Sequence, residues 1–238
     1  MPEAKSTRKP TAKKSKLSSR PQRGSLAPDR IAAILKALDE AYPKAECALT
    51  HRSPWELLVA TILSAQCTDV RVNIVTPELF RRFPTPQKMA KATLPELEAL
   101  IRTTGFFHNK AKSIQGAARK IVAEFNGEVP QTLAELITIP GAARKTANVV
   151  LGVSFNKAEG VVVDTHVFRI AHRLGLAKGD TPQKVEQELM RILPQSRWID
   201  FSHQIIYHGR QVCDARKPKC ERCNLEQICT SKDKTWQS

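Results

Sequence analysis

The feature that most restricts what this chain can fold into lies near its C-terminal end, where Cys213, Cys220, Cys223 and Cys229 fall within seventeen residues with the spacing C-x6-C-x2-C-x5-C. Four thiolates in one short irregular loop are enough to enclose a tetrahedral or cubane metal centre. Soft sulfur ligands suit zinc and iron-sulfur alike, and the departure from paired-CxxC zinc modules favours iron-sulfur. Without a metal, clustered thiolates repel one another and oxidise, so the pattern reads as a ligand set in a reducing compartment rather than as disulfides. Arg210, Arg216, Lys217, Lys219 and Arg222 sit beside or within the loop, where they offset its negative charge and are placed to face phosphate. Cys47 and Cys67 lie far from the loop and read as ordinary buried small residues.

The rest of the chain is helical in pattern. From Asp29 onward apolar residues recur at the helical period, as in Ile31, Ile34, Leu35 and Leu38. Ser53 with Glu56, Thr93 with Glu96 and Thr132 with Glu135 are capping-box pairs that start helices. Gly105 and Asn126-Gly127 are stops, because they tolerate positive φ. Val161–Val163 is too short for a sheet and reads as an extended connector into Asp164. The expected fold class is therefore all-α. No apolar run approaches the roughly 20 residues needed to span a bilayer, and residues 1–24 lack the apolar stretch of a secretory signal.

Charge points to the partner. Lys plus Arg number 38 against 23 acidic residues, a net +15 that calls for a polyanion, with nucleic acid the obvious candidate. The first 24 residues hold eight basic residues against Glu3 alone, so they carry +7 and leave +8 for the remainder. Residues 1–27 read as a disordered basic arm attracted to phosphate.

Ile139-Pro140-Gly141-Ala142-Ala143-Arg144-Lys145-Thr146-Ala147 follows one apolar helical segment and opens another. That is the pattern of a helix-hairpin-helix, in which turn N–H groups and the second helix's N-terminus meet a DNA phosphate without reading sequence. With this hairpin, the aspartate of Val163-Asp164-Thr165-His166 and the cysteine loop, the chain resembles the endonuclease III family of DNA glycosylases over roughly residues 28–232. Leu63-Ser64-Ala65-Gln66-Cys67-Thr68-Asp69, Gly105-Phe106-Phe107-His108-Asn109-Lys110-Ala111, Asn148-Val149-Val150-Leu151 and His208-Gly209-Arg210 carry the resemblance further.

The resemblance implies a bifunctional enzyme of base excision repair. Lys145 would attack C1′ of an oxidised pyrimidine nucleotide, expel the base and hold the sugar as a Schiff base until β-elimination cuts the strand. Neutralising an ordinary lysine at pH 7 costs about 4.6 kcal/mol, which its surroundings must offset. The positive end of the second helix with Arg144 alongside is the expected source. Asp164 would help activate the amine and stabilise the cationic sugar, and would also cap the following helix. Base flipping leaves a gap for Gln66 and a Phe106 wedge to fill, with Phe107 and His108 weaker candidates at the same opening. Gly141, Ala143, Arg144 and Lys217 join the expected DNA contacts. Cys213, Cys220, Cys223 and Cys229 would hold a [4Fe-4S] cluster.

The implied architecture is two helical lobes, a six-helix one with the hairpin over residues 47–157 and a cluster lobe from 28–46 plus 158–238, with double-stranded damaged or abasic DNA in the groove between them. A monomeric, cytoplasmic, nucleoid-associated bacterial protein without a membrane partner follows from the same resemblance. In one respect the chain departs from the family: Ala143 stands where a second hairpin glycine is usual, which penalises any positive φ or very close phosphate approach. Rival readings are a mismatch glycosylase of the same superfamily, disfavoured because such enzymes lack the lysine at the position of Lys145, and a non-catalytic DNA-binding module with a zinc knot.

Overall fold

A computed structural model describes residues 26–236, so most of the basic arm read into residues 1–27 lies outside the described residues. Among those residues there are eleven α-helices and no strand. Val161–Val163 is extended but pairs with nothing as a sheet, its two flanking valines being buried. The all-α expectation holds.

Buried apolar side chains separate into two clusters. The first runs from Leu49 to Leu151 and is built by α2 (Pro54–Leu63), α3 (Asp69–Arg82), α4 (Pro86–Lys91), α5 (Leu94–Ile101), α6 (Phe107–Glu124), α7 (Leu133–Leu136) and α8 (Arg144–Phe155). These are seven helical stretches where six were expected, α4 and α7 being very short. At its centre α2 is apolar nearly all round, with Trp55 and Leu57 through Leu63 buried, as a helix enclosed by others must be. The second cluster joins α1 (Pro28–Ala41) to α9 (Thr165–Arg173), α10 (Pro182–Ile192) and α11 (Trp198–Gln211). Ile31, Ile34, Leu35 and Leu38, the four positions of the α1 period, are all buried there.

Capping decides where many helices begin. Thr93 and Glu96 form the full reciprocal box. Ser53 and Thr132 cap α2 and α7 through their side chains, but Glu56 turns to the Arg52 amide and Glu135 to the Thr132 hydroxyl, so each box is half made. Gly105, Asn126 and Gly127 have φ of 71°, 53° and 82°, the left-handed geometry their stop roles require.

Candidate active site and metal centre

Lys145 and Asp164 arrive at one cavity from helices of the two hydrophobic cores, each core with its helices being called a lobe. The exposed Lys145 is the second residue of α8, and the half-buried Asp164 is the N-cap of α9. Both line an inter-lobe cleft of about 640 Å3, its open mouth included, with Thr61, Ser64 and Asp69 on one wall and Ser202, His203 and Arg210 on the other. Oδ1 of Asp164 accepts the amides of His166 and Val167, both at 2.8 Å, while Oδ2 makes no hydrogen bond among the described residues. The carboxylate thus caps its helix with one oxygen and leaves the other to the cleft.

The hairpin explains why Lys145 is presented. Gly141 turns the chain at φ 82°, and a Cβ there would meet Ser113 at 3.0 Å and Ile62 at 3.2 Å. Ala143 is extended (φ −69°, ψ 168°), so the penalty expected for lacking a glycine at positive φ does not arise. No side chain caps α8, in contrast to the Ser, Thr or Asp caps of α2, α3, α9 and α10, so its first N–H groups stay open to an anion.

Arg144 is more engaged than its sequence position indicates. Its Nε donates to both oxygens of Glu186 on α10, at 3.1 and 2.9 Å, and Asn148 Nδ2 donates to the same carboxylate at 2.9 Å. Glu186 is 6% exposed, and a Cβ at Gly160 would stand 2.1 Å from its Oε1, so the connector between the lobes must carry glycine there. Arg144, expected alongside Lys145 at the start of α8, is thus itself paired with Glu186. Glu186→Ala is expected to cost about 2 kcal/mol, less than a fully buried pair because the Arg144 side chain is 44% exposed and can rehydrate. For a chain of this length that lowers the melting temperature by roughly 4–8 °C, measurable by calorimetry, and an unchanged melting point would refute the tie.

Gln66 and Phe106 are both exposed and both left-handed, at φ 52° and 49°, and with Gly141 they line a second cavity of about 550 Å3. Phe107 instead packs partly buried against the first core, and the exposed His108 meets Glu98 at 2.9 Å. Neither of these two weaker candidates lines that cavity.

All four loop cysteines line one cavity of about 420 Å3, counted with its open part. Around it Arg173 Nη1 donates to Cys213 Sγ at 3.1 Å and to the carbonyl of Asp214 at 2.7 Å, Arg30 donates to the Ile228 carbonyl at 2.9 Å, and His208 Nε2 stands 3.6 Å from Cys223 Sγ. Burial, and after it the other sulfurs, push the Cys223 thiol up to about 11. Among the described residues no three His, Cys, Asp or Glu form a group placed to hold a single metal ion. Of the basic residues near the loop, Arg210 pairs with Asp69 and Lys219 with Asp214, whereas Arg216, Lys217 and Arg222 are exposed and form no ion pair among the described residues.

The His208-Gly209-Arg210 run now divides into three tasks. His208, pushed down to about 4 chiefly by burial and so neutral, bridges Tyr42 to the cysteine loop. Gly209 leaves room for His166, whose Nδ1 would lie 2.5 Å from a Cβ there. Arg210 ties the lobes through Asp69, 2.6 Å away. Sequence reading missed Glu46, Thr61, Ser202 and His203 on the cleft wall, and Cys47, read as an ordinary buried residue, packs partly buried against the first core and also lines the cleft. None belongs to a local motif, and only the lobes' apposition gathers them.

The chain matches the HhH-GPD superfamily of base excision DNA repair proteins over residues 59–195. It is 57% identical to Endonuclease III of Synechocystis sp. over 202 residues, covering 85% of this chain and 92% of the relative. To Endonuclease III of Escherichia coli it is 40% identical over 201 residues, covering 84% and 95%. Two solved structures, a non-covalent Endonuclease III–DNA complex and a trapped Endonuclease III–DNA covalent intermediate, superpose with TM-scores of 0.82 at 42% identity. This chain is covered to 87% in both, and those chains to 96% and 97%. A thermostable thymine-DNA glycosylase shares the fold at a TM-score of 0.74 and 19% identity, covering 85% of this chain and 96% of that one.

Proposed function

The chain belongs to the endonuclease III family, within the HhH-GPD superfamily of base excision DNA repair proteins, and from that premise we propose that it is a bifunctional DNA glycosylase and abasic-site lyase acting on oxidised pyrimidines in duplex DNA. The observation that carries this reading is the convergence of Lys145 and Asp164 on one inter-lobe cleft. A nucleotide rotated out of the duplex enters the cleft. The Lys145 amine forms a bond to C1′ as the C1′–N bond breaks, the base leaves with the electron pair and takes up a proton, and the free oxygen of Asp164 faces the charge that develops on the sugar. The attached amine gives up its proton and its lone pair expels O4′, which is protonated as the sugar ring opens to a Schiff base, and loss of a C2′ proton then expels the 3′ phosphate and cuts the strand.

Binding follows from the same geometry. The open N–H groups at the start of α8 take a phosphate, with Arg144 beside them, and Arg216, Lys217 and Arg222 offer a second basic contact. Gln66 and Phe106 fill the gap left by the flipped base. Phe106→Ala is expected to slow release of thymine glycol by about tenfold or more in single-turnover assays, a figure appropriate to a misplaced nucleotide. Release at the wild-type rate would remove Phe106 from that role.

Cys213, Cys220, Cys223 and Cys229 fit a [4Fe-4S] cluster, because four thiols spread around one cavity suit a polynuclear centre better than a single ion. Such a cluster, when bound, supplies a rigid tie for the basic loop and a redox-active centre. The two buried clusters support reading residues 47–157 as one lobe and 28–46 plus 158–238 as the other, acting as a monomer. Borohydride treatment of the protein on duplex DNA containing thymine glycol tests the whole: a covalent adduct together with strand cleavage is expected, and base release without an adduct would make the enzyme monofunctional.

A further inference from the structure

Lys110 is 5% exposed, an unusual place for an ammonium group, and unlike the buried Lys234, which meets Glu226 at 2.8 Å, it faces no carboxylate among the described residues. Its Nζ donates instead to the carbonyl of Thr104 at 2.8 Å. Holding a desolvated charge against a single neutral acceptor is costly, so the contact has to fix something the fold or the reaction needs.

What lies between the two ends of that contact is the corner carrying Phe106. The Lys110 amide donates to the Phe106 carbonyl at 3.0 Å while its side chain returns over the corner to Thr104, so one residue grips the turn from both sides. Gly105 and Phe106 both have positive φ, and a bulky residue in that region is strained unless its surroundings hold it there. No side chain caps the start of α6, and the Thr104 hydroxyl donates back to the Ile101 carbonyl at 2.8 Å rather than across the turn, so among the described residues Lys110 is the side chain that spans the corner. The consequence is a phenylalanine left 64% exposed, beside the cavity that Lys110 shares with Gln66 and Gly141.

We propose that Lys110 is a positioning residue for base extrusion, clamping the 104–106 corner so that Phe106 is presented to the DNA stack. The inference rests on the wedge reading of Phe106 given above. Its readout is the ratio of thymine glycol release to strand cleavage at a preformed abasic site, because only the first reaction requires an intact damaged base to be driven from the stack. Lys110→Met, which keeps the chain length and removes the donor, is expected to lower that ratio by about tenfold, as Phe106→Ala does. It should also reduce the fluorescence rise of 2-aminopurine placed beside the lesion when the protein binds.

If Phe106→Ala lowers the ratio and Lys110→Met leaves it unchanged, the clamp is refuted. If Phe106→Ala itself leaves the ratio unchanged, the wedge reading fails instead. Equal losses in both reactions would make Lys110 a general fold residue, which also overturns the proposal. Lys110→Gln, neutral and too short to reach Thr104, serves the same comparison if the methionine variant does not fold. Failure of both variants to fold counts against the positioning role.

Discussion

Lys145→Ala is expected to abolish borohydride trapping on abasic and thymine glycol duplexes and to slow base release by about 10⁴-fold or more, because a covalent route disappears with its nucleophile. Binding to a non-cleavable abasic analogue should largely persist, since the α8 N–H groups and the basic loop remain in place. The informative companion is Asp164→Asn. Asparagine caps helices about as well as aspartate, so Oδ1 can still accept the His166 and Val167 amides and the melting temperature should hardly move. Chemistry should nevertheless fall by about 10²- to 10⁴-fold, the range for a positioned carboxylate. An adduct that still forms with Lys145→Ala would assign the nucleophile to another amine. Loss of stability in Asp164→Asn comparable to the loss of rate would make capping its main role.

The second large effect is expected at the cysteine loop. Between Val212 and Cys229 regular structure is limited to two 3₁₀ turns, and of its aliphatic side chains only Leu225 is fully buried in the second core, with Ile228 packed partly buried against it. Arg30, Arg173 and His208 hold its edges, but its interior is the cavity the four sulfurs line. A segment so poor in buried apolar surface depends on ligand bonds, so ligand binding and local folding are one free energy. Cys229→Ala is expected to lose iron and the cluster's visible absorbance, to expose residues 212–229 to hydrogen exchange, and to lower the melting temperature by about 10 °C or more. Cys47→Ala and Cys67→Ala should keep their iron, since neither lies at the loop cavity. A Cys229→Ala protein with full iron content and wild-type exchange would refute the ligand assignment, and stoichiometric zinc in the native protein would replace the cluster.

Much of this protein was legible locally. Helix starts at Ser53, Thr93 and Thr132 could be read because an N-cap is decided by residues a few positions apart. Gly141, Lys145 and the cysteine spacing were legible for the same reason: a turn, a helix start and a ligand loop are short-range features. What could not be read locally depended on distant chain. Arg144 needed Glu186, 42 positions away, to show its charge already balanced. Phe107 and Phe106 are neighbours of one type, and only packing sends the first to the core and the second to solvent. Of the two costs attached to Ala143, the one for a positive φ does not arise, because the folded turn assigns that φ to Gly141 instead.

By itself, then, the sequence determined the all-helical class, the hairpin with its lysine, the capping aspartate and the four-thiol loop, because each follows from hydrogen bonding or ligand geometry within a short segment. The tertiary structure alone decided that Lys145 and Asp164 share a cleft, that Glu186 and Asp69 tie the lobes, and that Lys110 is buried beneath the Phe106 corner. Those facts depend on which surfaces the two hydrophobic cores bring together, and burial of apolar area is non-directional, so no local pattern in the chain encodes the pairing.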